Sequence, residues 1–137
     1  MKTLISALTL TFAATAALGA GHGPTPMVEA SDQSVANGIV SAEMVVAAEN
    51  GWMVVHLTDA EMKPGPVVGY APLRMGENID VAAILTETVA PGEMLMLMVH
   101  SEAGGNVTGG FEYTLGAKED GPIKIDDKLV MQVITAQ

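Results

Sequence analysis

Met96, Met98 and His100 occupy alternate positions at the end of one apolar run, Met94 to Val99, which continues into His100-Ser101-Glu102. Thioether sulfurs and neutral imidazoles are donors that suit Cu(I). If the run is a β-strand, the side-chain period of two sends Met94, Met96, Met98 and His100 to one face, about 7 Å apart, and Leu95, Leu97 and Val99 to the other. His56 lies at the end of a second strand-like run, Trp52 to Thr58. Should the two strands be neighbours, His56 and His100 with one or two Met would make a copper site. A second reading needs no ligand: Met side chains fill irregular core space, each contributing about 1.5–3 kcal/mol on burial. His100 would then donate to a backbone carbonyl or to Glu102. Either face of the strand can be the core face.

The chain contains no Cys, which excludes disulfides, zinc-thiolate sites, thiol nucleophiles and the usual blue-copper centre. A separate metal site depends on processing at the N-terminus. Cleavage after Gly19 would leave Ala20-Gly21-His22, whose amine, amides and imidazole can form a square-planar nitrogen site for Cu(II) or Ni(II); cleavage after Ala20 abolishes it. The acidic pairs Glu119-Asp120 and Asp126-Asp127 lack the alternating ligand spacing of a Ca²⁺ loop and read as solvated turns. No serine sits in a nucleophile-elbow context. Glu102 beside His100 offers an orienting pair for a general base, yet no nucleophile or oxyanion donor accompanies it, so no enzyme is expected.

The elements that position these residues read as strands. The apolar run between Pro91-Gly92 and Gly104-Gly105 is too short for a membrane span and reads as a central strand. Val40, Ala42, Met44 and Val46 alternate with Ser41 and Glu43. Asn50-Gly51 follows, a strong type I′ hairpin signal that predicts antiparallel pairing of this strand with Trp52 to Thr58. Lys63-Pro64-Gly65-Pro66 predicts a loop. Val67 to Ala71 reads as a short strand, Asn78 to Leu85 as a strand with Ile79, Val81, Ala83 and Leu85 on one face, Phe111 to Leu115 as a short strand, and Leu129 to Thr135 as the last. Met27 to Ala30 is a candidate first edge strand. About seven strands with turn signals between them predict an all-β, antiparallel sandwich.

Residues 1–20 read as a secretory signal peptide: Met1-Lys2, the apolar stretch Leu4 to Leu18, and the small residues Leu18-Gly19-Ala20. Residues 21–32 are expected as a flexible lead-in and 33–137 as one sandwich domain. The protein is therefore expected outside the cytoplasm, secreted or periplasmic, with no stable membrane insertion after cleavage. Beyond the signal, five basic residues face sixteen acidic ones. Nucleic acid is excluded as a partner, because binding phosphates needs a basic patch, and an acidic surface favours a soluble monomer.

Several short motifs occur in a characteristic order: Val54-Val55-His56, Val67-Val68-Gly69-Tyr70, Leu73-Arg74-Met75-Gly76, His100-Ser101-Glu102 and Glu119-Asp120-Gly121-Pro122. Over roughly residues 33 to 135 the chain resembles an uncharacterised domain of unknown function, common in secreted and surface proteins of halophilic archaea and found in some bacterial exported proteins. The resemblance implies an immunoglobulin-like β-sandwich in an extracytoplasmic setting and no established activity. The chain departs from that pattern at Leu57, where the family usually has an acidic residue, and at Glu102, where it prefers Asp. The expected function is an exported, non-enzymatic module that binds an unidentified protein or surface partner or plays a structural role, with no cofactor. The alternative is a periplasmic copper-handling protein using Met96, Met98, His100 and His56.

Overall fold

The computed structural model describes residues 23–137. The expected signal peptide and His22 lie outside the described residues. Among the described residues nine strands form: β1 (Met27–Glu29), β2 (Ile39–Ala47), β3 (Gly51–Thr58), β4 (Val67–Leu73), β5 (Gly76–Ile84), β6 (Met94–Ser101), β7 (Lys124–Ile125), β8 (Lys128–Leu129) and β9 (Met131–Thr135). Seven of them make two antiparallel sheets, β1-β2-β5 and β4-β3-β6-β9, while β7 and β8 form a small hairpin. The fold is an all-β sandwich, and among the described residues no helix is long and apolar enough to cross a membrane.

Val40, Ala42, Val45 and Ala47 of β2 meet Met53 and Val55 of β3 and Leu95, Leu97 and Val99 of β6 in the core between the sheets. The leucine face of β6 is thus the inter-sheet face. Its methionine face is buried too, with Met96 and Met98 almost fully covered. A strand enclosed on both sides has no face to give to water, which is why Met94 to Val99 is apolar without interruption.

Three local expectations are corrected. The Asn50-Gly51 pair does not close a hairpin between β2 and β3, because those strands lie in different sheets. Asn50 instead accepts the Met75 N–H at 2.9 Å, and Gly51 is required for contact. A Cβ there would stand 2.2 Å from the His100 carbonyl oxygen across the β3/β6 pair. In β2 the alternation slips between Ala42 and Val45, leaving Met44 and Val46 only half-buried. Opposite them, Asp80 adopts φ 51° and Ile79 faces solvent while Val81 and Ala83 face inward. A left-handed residue shifts a strand's pleat, and a period-two reading cannot foresee it. Phe111 to Leu115 forms no strand, and its aromatic rings cover the outer face of β3 and β6 instead. β1 forms where the first edge strand is expected, and pairs with β2 through Val28 opposite Val45.

Candidate metal centre

The outer face of β3 carries Trp52, Val54 and His56, and that of β6 carries Met96, Met98 and His100. Cross-strand register sets Trp52 opposite His100, Val54 opposite Met98 and His56 opposite Met96. The two histidines therefore share a face, four residues apart along the ladder, and their rings lean toward each other with centroids 5.5 Å apart. Both are buried, His56 at 0% and His100 at 1% exposure.

Each ring is anchored at Nδ1 by a backbone carbonyl. Gly65 O lies 2.8 Å from His56 Nδ1, and Asp120 O lies 2.7 Å from His100 Nδ1. The first carbonyl is delivered by the proline loop, which returns against β3 through Gly65 N–H to Leu57 O and Leu57 N–H to Pro66 O. Gly65 can come so close because it lacks a Cβ, which would sit 2.6 Å from Leu57 O. The second comes from the segment 120–123, which runs beside the end of β6 with His100 bridged to Pro122.

A carbonyl only accepts, so each Nδ1 carries the ring proton, and a neutral ring then leaves Nε2 as a bare lone pair. The two Nε2 atoms are 3.4 Å apart. Two acceptors facing each other at that range do not form a hydrogen bond. Two imidazole nitrogens bound at about 2.0–2.1 Å to a trigonal or tetrahedral metal ion stand about 3.3–3.6 Å apart. Donation of the second ring nitrogen to a backbone carbonyl is also what holds metal-binding histidines in their tautomer. Burial lowers the pKa of both rings, that of His100 to about 4, against smaller upward pulls from the carbonyl hydrogen bonds. Both imidazoles are consequently neutral at pH 7.

The loop 102–122 roofs the pair. Tyr113 presents its edge to both rings, at 4.6 Å from His100 and 5.9 Å from His56 between centroids. Phe111 packs on Tyr70 and Trp52 beside it. Asp120, almost fully buried, fastens the loop by accepting Ala103 N–H and Glu112 N–H at its two carboxylate oxygens. Glu102 does not orient His100; its oxygens take the Trp52 indole N–H at 2.8 Å and Gly109 N–H at 3.1 Å. Among the described residues no group of three or more His, Asp or Glu side chains converges.

Residues 26–137 match the family described as Domain of unknown function (DUF7282). The chain belongs to this family. No curated protein and no solved structure matches it. The match takes in β1 as well as the stretch where the resemblance was visible, so the domain reaches closer to the N-terminus than the motifs did. Of the motif residues, His56, Tyr70, His100, Glu102 and Asp120 meet on the outer face of the four-stranded sheet and its roof. Sequence reasoning missed Asp120 and Tyr113 as parts of this centre. Asp120 lies in one of the ordered motifs, where its acidic neighbour Glu119 suggests a solvated turn charge, and Tyr113 falls in an expected strand.

Proposed function

We propose that this domain is an extracytoplasmic, non-enzymatic β-sandwich module that binds a metal ion of the copper class between His56 and His100. The observation that carries the reading is the 3.4 Å approach of two Nε2 atoms whose Nδ1 positions are both committed to carbonyl acceptors. Met96 and Met98 supply a thioether-rich surround on the same face, opposite His56 and Val54, which suits a soft ion. A Cys-free chain with a signal-like start accords with a compartment where thiolate sites are avoided and loosely held copper is handled. The test is competition titration of the mature protein with copper, alongside His56→Gln and His100→Gln, with folding checked by circular dichroism. Either substitution is expected to weaken binding at least about 100-fold, since each removes one of two nitrogen ligands. Equal binding by both variants would refute the reading.

A partner-binding role is the second reading, and one observation favours it. Ile39 and Ile84 lie directly opposite each other on the outer face of the β1-β2-β5 sheet, 39% and 76% exposed. Ile84→Asp should then abolish pull-down of a surface partner while leaving the unfolding midpoint within about 0.5 kcal/mol of the parent; retained pull-down would dismiss that face.

A further inference from the structure

Resting on the metal-binding reading, we infer that the His56/His100 seat selects a singly charged soft ion, Cu(I) in its natural setting, and rejects Zn(II) and Cu(II), with Asp120 as its counter-charge. Spacing alone does not decide this, because a 3.4 Å pair of nitrogens accepts any of these ions at ordinary bond lengths. Charge does. Both ligands are neutral imidazoles whose remaining protons are held by backbone carbonyls, and the thioethers beside them carry no charge either. The side chains beside the pair on this face are Met96, Met98, Val54 and Tyr113, all of low polarity. An ion placed there loses its hydration, and that loss grows as the square of the charge, so a divalent ion forfeits about four times what a monovalent ion does.

Compensation is limited to one unit. Asp120 is the one acidic residue buried among the described residues, and its backbone carbonyl is the acceptor for His100. Its carboxylate is held by two backbone N–H groups and, among the described residues, by no cation. One buried negative charge on the residue whose carbonyl anchors His100 offsets one unit of the ion's charge and leaves a divalent ion with an excess. Zn(II) has a further shortfall: it normally collects three or four His, Cys, Asp or Glu ligands, and no third such side chain joins the pair among the described residues. Cu(I) is content with few neutral soft donors, and thioethers select it. The roof contributes by excluding the water and anions that would complete a divalent coordination sphere.

The test uses the mature wild-type protein and four ions: Cu(I) under anaerobic conditions, Ag(I) as a redox-inert monovalent probe, Zn(II) and Cu(II). Binding at the pair is read from the ¹⁵N resonances of His56 and His100 Nε2, or from their loss with paramagnetic Cu(II). Cu(I) and Ag(I) are expected to move both resonances at one equivalent, and Zn(II) and Cu(II) to bind at least about 100-fold more weakly. Zn(II) or Cu(II) binding as tightly as Ag(I) would overturn the selectivity while leaving the metal site standing. No ion moving either resonance would overturn both. Asp120→Asn, verified as folded, is expected to weaken both ions but Zn(II) the more, since the lost attraction scales with the ion's charge, and so to widen the Ag(I)-to-Zn(II) preference by about tenfold; an unchanged or narrowed preference would remove Asp120 as the counter-charge.

Discussion

Two buried histidines with their outer nitrogens tied to carbonyls hold a net proton poorly, and that gives the fold a pH signature. In the unfolded chain each titrates near the ordinary 6.5, whereas in the fold burial keeps His100 near 4 and lowers His56 in the same direction. Between those values the unfolded chain binds more protons than the folded one, so stability rises with pH across the window and is lost on acidification from 6.5 toward 4. His100 alone accounts for roughly 3 kcal/mol of that loss. Urea unfolding at pH 7 and pH 4.5 should show the drop, and the His56→Gln/His100→Gln double variant should show a smaller one; identical pH dependence in both would contradict it. At pH 7 the ¹⁵N spectrum of the metal-free protein should show both rings protonated at Nδ1 only, and an Nε2–H tautomer at either would deny the paired lone pairs.

At the scale of elements, the centre depends on how closely β3 and β6 approach at their Gly51 and His100 ends. Gly51→Ala would push a methyl group into the His100 carbonyl, and is expected to cost about 3 kcal/mol and weaken metal binding by spreading the pair. A stable Gly51→Ala protein with undiminished binding would show that the strands tolerate separation. Trp52, 6% exposed, joins the sheet to the roof through Glu102 and through edge contacts with Tyr70 and Phe111. Trp52→Ala should destabilise by about 3–5 kcal/mol in equilibrium unfolding; a loss under about 1 kcal/mol would mean the indole contributes nothing to the roof. Much of this element level was legible beforehand. The alternation in β6 puts Met96, Met98 and His100 on one face, and the run Trp52 to Thr58 puts His56 near the end of a second strand. The register that brings the two rings together was not legible, because strand order is a long-range property. The Asn-Gly pair even pointed to the wrong neighbour: its local turn preference yields to packing, which needs the chain to cross between sheets there. The roof was illegible for a similar reason, since loop 102–122 has no period and is fixed by Asp120 and Glu102 capping distant backbone groups.

The whole molecule combines a DUF7282 sandwich over residues 26–137, a chain of net charge −10, and a histidine pair buried under a loop. The acidic exterior attracts cations in general and is screened by salt, whereas the buried seat is not, so binding at the histidine pair should change less than threefold between about 0.1 and 1 M salt. Isothermal titration at both salt levels checks this, and steep weakening would mean the ions sit on surface carboxylates. The most direct measurement of the central claim is X-ray absorption at the copper edge on the protein carrying one equivalent of Cu(I). The account predicts two imidazole nitrogens at about 2.0 Å, with their characteristic outer-ring scattering, and sulfur near about 2.3 Å. A spectrum without imidazole scattering, or one unchanged in the His56→Gln/His100→Gln variant, would contradict it.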